Sequence, residues 1–258
     1  MQKENVKKSI YVLPNLFTSM NIFCGFYAIV SAVDSRFVDA SIAILVGSVF
    51  DLLDGKIARA TRTTSRFGVE YDSLSDLITF GLAPALTVYL WALKPLGRLG
   101  WLAAFLFMTC GALRLARFNT VSASSAGKAS SYFQGLPIPA SAGMAVAFIL
   151  FLSRFEIDPE PFRFVALLLL YCLSFLMVSS LKYHSFKNAG LFRSMKFNRL
   201  VALVLILVFL AYEPYIALFV VCLVYILSGP VLSIMYAAHP REEQTLEVDE
   251  EESEIEIG

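Results

Sequence analysis

FVDASIAILVGSVFDLLDGKIARATRTTSRFGVEYDSLSDLITFGLAPALTVYLWA, residues 37–92, holds two apolar runs joined by a short basic connection. Each run is long enough to cross a bilayer as a helix, which takes roughly 17–25 mostly apolar residues. Four aspartates nevertheless stand at the facing ends of these runs: Asp51 and Asp54 late in the first, Asp72 and Asp76 early in the second. The members of each pair are three and four residues apart, so each pair occupies one helical face. The short connection makes the two helices antiparallel neighbours, with the carboxylates at similar depth. All four can then converge on one point.

The rest of the chain extends the same pattern. Of its 258 residues, 57% are hydrophobic and 16% charged, against roughly a quarter charged in soluble domains. Eight apolar spans are expected, at 14–33, 37–58, 70–92, 99–118, 137–153, 162–181, 199–213 and 215–236. Glu213 and Pro214 cut the seventh short, so spans seven and eight read as a tight hairpin. The predicted fold is an all-α polytopic membrane bundle over residues 1–240, followed by an acidic tail at 241–258. The basic opening MQKENVKKSI is followed by no small-residue cleavage site, which predicts an uncleaved first helix.

Charge sets the expected orientation. With the N-terminus inside, 16 of the 21 Lys and Arg fall on the cytoplasmic side and five outside, following the positive-inside rule. Both termini are then cytoplasmic, in a multi-pass protein of the cell (inner) membrane. The longer inner connections, 119–136 and 182–198, are candidate substrate-entry loops. The formal net charge of zero hides two opposite parts, because REEQTLEVDEEESEIEIG carries nine acidic residues and one arginine. Such a run reads as a solvated tail or as a cover for the basic inner face. Cys24, Cys110, Cys172 and Cys222 lack metal-ligand spacing and read as small buried hydrophobes. His184 and His239 carry no assigned role, and no nucleic-acid partner is expected.

The aspartates are costly to keep. A charged aspartate at the bilayer centre costs about 2.5–3.5 kcal/mol, less near the interface, and four like charges also repel one another. Hard divalent cations with oxygen ligands relieve both penalties, and Mg²⁺ or Mn²⁺ suits carboxylate and phosphate donors. The cluster therefore predicts a dinuclear metal site. The competing structural reading has these residues capping helices or pairing with Arg59, Arg62 and Arg66. Gly55, Ala58 and Gly68 are small enough for a ligand to approach the backbone, or simply for helices to approach each other.

The segment DLLDGKIARATRTTSRFGVEYDSLSD reads Asp51-x2-Asp54-Gly55-x2-Ala58-Arg59-x8-Gly68-x3-Asp72-x3-Asp76. It resembles the signature of the CDP-alcohol phosphatidyltransferases in every fixed position and spacing. That resemblance implies two metal ions held by Asp51, Asp54 and Asp72 against the diphosphate of a CDP-lipid. Asp76 would also lie at the metal site and act as general base toward an incoming hydroxyl. Gly55, Ala58 and Gly68 would line the cytidine side, with Arg59 also on the CDP-lipid. A homodimer is compatible with the family, and nothing in the sequence specifies one.

PNLFTSMNIFCGF (14–26), GALRLARFN (111–119) and GLPIPASAG (135–143) make the whole chain similar to membrane-embedded phosphatidylserine synthases. The resemblance implies CDP-diacylglycerol as donor and L-serine as acceptor, rather than glycerol phosphate or inositol phosphate. Arg114 and Arg117, with Asn119 just beyond, suit a carboxylate or phosphate, or anchor the inner face. Gly135-Leu-Pro-Ile-Pro139 reads first as a helix start with proline in its first turn. Asn15, Thr18 and Asn21 share a helical face that should meet protein or substrate. A transporter would spread its carboxylates through the bilayer and show inverted repeats. Here the carboxylates cluster at one end, and the sequence holds no repeat.

Overall fold

The computed structural model describes residues 2–61, 65–124, 132–184 and 212–238. Helix α1 (Gln2–Val33) and helix α2 (Phe37–Thr61) lie side by side. The turn between them is a Schellman motif. Arg36 N–H donates to Ser31 O at 2.8 Å and Ser35 N–H to Ala32 O at 3.0 Å, with Ser35 in the left-handed region at φ 62°. Ala28, Ala32, Ala40 and Ala43 are all buried, and such small side chains let helices approach closely in a membrane.

The third span runs unbroken from Arg66 to Leu96. It begins as α3 (Arg66–Asp76), widens into a π-helical turn at Leu77–Leu82, and tightens again as α4 (Ala83–Val88). A second π segment, Tyr89–Leu93, and a 3₁₀ turn, Lys94–Leu96, end it. Pro84 explains the first widening, since proline clashes with the carbonyl four residues back and offers no N–H. The chain takes up an extra residue there, and Ala83 N–H bonds to Ile78 O. Gly97, at φ 55°, turns the chain into α5 (Arg98–Ser124).

Strand β1 (Tyr132–Gln134) leads into α6 (Ile138–Arg154), and a 3₁₀ turn at Glu160–Phe162 leads into α7 (Arg163–Val178). Strand β2 (Lys182–His184) and helix α8 (Pro214–Ala238) follow. The fold is all-helical as expected, and the two short strands pair antiparallel in a connecting ribbon, Phe133 opposite Tyr183. It joins the two segments expected to serve as entry loops. Gly135 makes the join possible. Its φ is +77°, its N–H bonds to Leu181 O at 2.9 Å, and a side chain there would strike the Met177 carbonyl. Pro139 sits in the first turn of α6, as the simpler reading of Gly135–Pro139 expects.

Helix α6 is the centre of the bundle. Met144 through Leu150 are all buried, and the helix touches α2, α5, α7 and α8. The outer helices instead expose large apolar side chains, among them Phe164, Leu168 and Phe175 on α7 and Val220, Val224 and Leu227 on α8. Apolar surface of that extent fits contact with lipid. Cys172 also faces outward on α7, against the expectation of burial, while Cys24 and Cys110 are buried.

Five described helices are long and apolar enough to cross a membrane: Pro14–Val33, Arg66–Leu96, Arg98–Val121, Glu160–Val178 and Pro214–Val231. Helix α6, at 17 residues, is apolar but shorter, and α2 carries Asp39, Asp51 and Asp54. The expected seventh span lies almost wholly outside the described residues, as do the 62–64 connection and the acidic tail. Helix α7 ends at Val178, three residues before its expected end, where Ser179 turns extended at ψ 160°.

Candidate active site

Asp51 and Asp54 stand well inside α2, which continues to Thr61. Asp72 stands inside α3, whose cap is Ser65: the Ser65 hydroxyl accepts the Gly68 N–H at 3.0 Å. The helix-capping explanation of the four carboxylates therefore fails. No ion pair joins any of the four to an arginine among the described residues, although Arg59 lies within electrostatic reach of Asp51, Asp54 and Asp72. Arg62 lies outside the described residues.

Three of the four meet as expected. Asp51, Asp72 and Asp76 each bring a carboxylate oxygen within 4.8 Å of the others. Asp54 is turned aside: it is 4% exposed and accepts the Thr18 hydroxyl at 2.9 Å. It stays within electrostatic reach of Asp51 and Asp72. At about 5 Å and an effective dielectric of about 20, each ionised pair repels by roughly 3–4 kcal/mol. That repulsion is large enough to require either a compensating positive charge or protonation of one member. Asp72 Oδ1 is buried and receives no hydrogen bond among the described residues. A buried acceptor without a donor, inside an all-oxygen cluster, fits a hard divalent cation.

Beside the carboxylates lies a cavity of about 150 Å³. Its wall includes Gly55, Ala58, Arg59 and Gly68, the four residues expected to meet the CDP-lipid, together with Asp54 and Asp72. A side chain on Gly55 would meet the Arg59 guanidinium at 3.5 Å, and one on Gly68 would meet Ser65 Oγ at 3.2 Å. Helix α1 closes the cavity with Pro14, Asn15 and Thr18.

The residues expected to bind the acceptor divide. Arg114 is directed into the protein, with Asp76 and Tyr225 as its charged or polar neighbours, and its Nε is buried without a hydrogen-bond partner among the described residues. Asn119 is engaged: its Nδ2 donates to Ser73 Oγ at 2.9 Å. Arg117 is exposed. Sequence reading missed Tyr225, which α8 brings in from more than a hundred residues away. It also missed Ser75 and Thr79, whose spacing from Asp72 and Asp76 would have placed them beside the carboxylates.

The helical bundle gathers carboxylates from two adjacent helices beside a glycine-lined cavity, a donor set that fits a hard divalent cation. Residues 11–179 match the family model for CDP-alcohol phosphatidyltransferase, and the chain belongs to that family. It is 38% identical over 220 residues to the CDP-diacylglycerol–serine O-phosphatidyltransferase of Helicobacter pylori strain 26695, covering 85% of this chain and 90% of that one. The protein of the same name from Methanocaldococcus jannaschii is 33% identical over 222 residues, covering 86% and 94%. The archaetidylserine synthase of Methanothermobacter thermautotrophicus is 33% identical over 192 residues, covering 74% and 77%.

Proposed function

We propose that the chain transfers the phosphatidyl group of CDP-diacylglycerol to the hydroxyl of L-serine, forming phosphatidylserine and CMP. The observation that carries the reading is the meeting of Asp51, Asp72 and Asp76 beside the cavity walled by Gly55, Ala58, Arg59 and Gly68. The names of the relatives support serine as the acceptor.

Asp51, Asp54 and Asp72 would hold two divalent ions, Mg²⁺ or Mn²⁺, with Asp76 also at that site. Bound metal supplies charge stabilisation to the diphosphate and its leaving oxygen. Asp76 takes the proton from the serine hydroxyl. The hydroxyl oxygen then bonds to the phosphorus that carries the diacylglycerol. The bond from that phosphorus to the bridging diphosphate oxygen breaks, and CMP leaves with the electron pair. Gly55, Ala58 and Gly68 give the cytidine side its room, and Arg59 faces the CDP-lipid. Arg114 is the side chain best placed for the serine carboxylate, since a guanidinium binds carboxylate through paired hydrogen bonds. Arg117 and Asn119 complete that side.

The same reading gives residues 1–240 eight spans, with both termini and the active site at the cytoplasmic face of the inner membrane. The acidic segment 241–258 is then a cytoplasmic tail. The distribution of Lys and Arg supports the orientation. A homodimer rests on family resemblance alone.

An acceptor screen tests the function. Purified protein with CDP-diacylglycerol and Mg²⁺ or Mn²⁺ should release CMP when serine is supplied. Release with glycerol phosphate or inositol phosphate, and none with serine, would overturn the acceptor assignment.

A further inference from the structure

We propose that Thr18 and Asn21 of α1 are positioning residues for the carboxylate site, Thr18 holding Asp54 and Asn21 holding Asp76. The proposal rests on the reading of these aspartates as metal ligands. Helix α1 contributes no carboxylate to the described cluster, yet it reaches one member of each aspartate pair.

The Thr18 hydroxyl has one hydrogen and two acceptors in range, Asp54 Oδ2 at 2.9 Å and the Pro14 carbonyl at 3.1 Å. A carboxylate is the stronger acceptor, so the hydroxyl fixes the rotation of Asp54. Asn21 is wholly buried, and its Nδ2 lies 3.5 Å from Asp76 Oδ1. The opposite placement of the amide would face its oxygen to an acceptor-only group. Asn21 Oδ1 instead points toward Gly47, where any side chain would come within 3.0 Å of it.

The third span fastens the backbone of these same two residues. Ser75 Oγ donates to Thr18 O at 3.2 Å, and Thr79 Oγ1 donates to Asn21 O at 2.9 Å. Each α1 residue is therefore gripped through its carbonyl by the span that carries Asp72 and Asp76. Each then extends its own side chain to a carboxylate. Thr18, Asn21, Ser75 and Thr79 are all buried, so water does not substitute for any of these bonds. Gly25 and Gly47 leave the room for Thr79 that the arrangement needs. Outer partners that orient metal ligands commonly govern affinity by about 10–100-fold.

The test is Mn²⁺ binding to the full-length protein in detergent, without substrates, followed by loss of the free-ion electron paramagnetic resonance signal. Thr18→Val and Asn21→Leu should each raise the Mn²⁺ dissociation constant by about 10–100-fold. Thr18→Ser, which keeps the hydroxyl, should recover most of the affinity. Wild-type binding by both Thr18→Val and Asn21→Leu would overturn the proposal, as would equal losses in Thr18→Ser and Thr18→Val. Should Thr18→Val fail to fold, Thr18→Ala against Thr18→Ser makes the same comparison. Asp72→Asn measured alongside separates the two levels. If it too binds Mn²⁺ normally, the metal reading itself has failed. If it alone loses the ion, only the positioning role has.

Discussion

In the proposed mechanism Asp76 is the residue on which the chemistry turns. It stands where α3 gives way to a π-helical turn, in contact range of Asp51 and Asp72 and beside Arg114. Replacing it with asparagine keeps the size and removes the base. Asp76→Asn should lower CMP formation by at least about 100-fold, the lower bound for losing a positioned general base, while the protein stays folded. Near-normal turnover at saturating metal would remove Asp76 from that role. The four aspartates were legible in the sequence because helical spacing alone places each pair on one face. Their individual partners were not. Asp54 faces Thr18 rather than the cluster because α1 passes on that side, and nothing local to residues 51–76 encodes the position of α1. Tyr225 was illegible for the same reason.

At the scale of elements, α1, α2 and the third span meet around Thr79. A Cβ on Gly25 would lie 2.6 Å from Thr79 Oγ1 and 2.9 Å from its Cα. The Thr79 backbone cannot yield as a flexible side-chain end would. Gly25→Ala should therefore destabilise the protein by about 1–3 kcal/mol, the usual cost of overpacking, read as a lower thermal midpoint. An unchanged midpoint would mean that the helices separate freely there. Helix positions followed from apolar run lengths, and helices occupy each of the seven expected ranges that lie within the described residues. The β1–β2 ribbon did not follow, since three-residue strands fifty positions apart carry no periodic signal. The π turn at Leu77–Leu82 follows only when Pro84 is taken as a constraint on the preceding turn rather than as a helix end.

Over the whole molecule, α6 and α8 are joined at the end of α6 far from its proline start. Arg154 Nε and Nη2 donate to the two Glu213 carboxylate oxygens at 2.8 and 2.7 Å. That hydrogen bonding, together with the guanidinium charge, holds the Glu213 carboxyl below its ordinary value of 4.5. A group with a lowered folded-state pKa contributes stability above its unfolded value, and the contribution is lost as pH falls through the folded value. Glu213→Gln should therefore lower the thermal midpoint at neutral pH. Its gap from the unaltered protein should narrow as pH drops below the ordinary glutamate range. A gap that stays constant across that range would show that the pair does not contribute through charge.

The account as a whole depends on divalent ions lying among carboxylates from two adjacent spans. Anomalous X-ray scattering from crystals of the full-length protein grown with Mn²⁺ tests this directly. The expected result is manganese signal coordinated by carboxylate oxygens of Asp51, Asp54 and Asp72, with Asp76 at the same site. Carboxylates that lie dispersed, or bound only to arginines with no manganese between them, would contradict it.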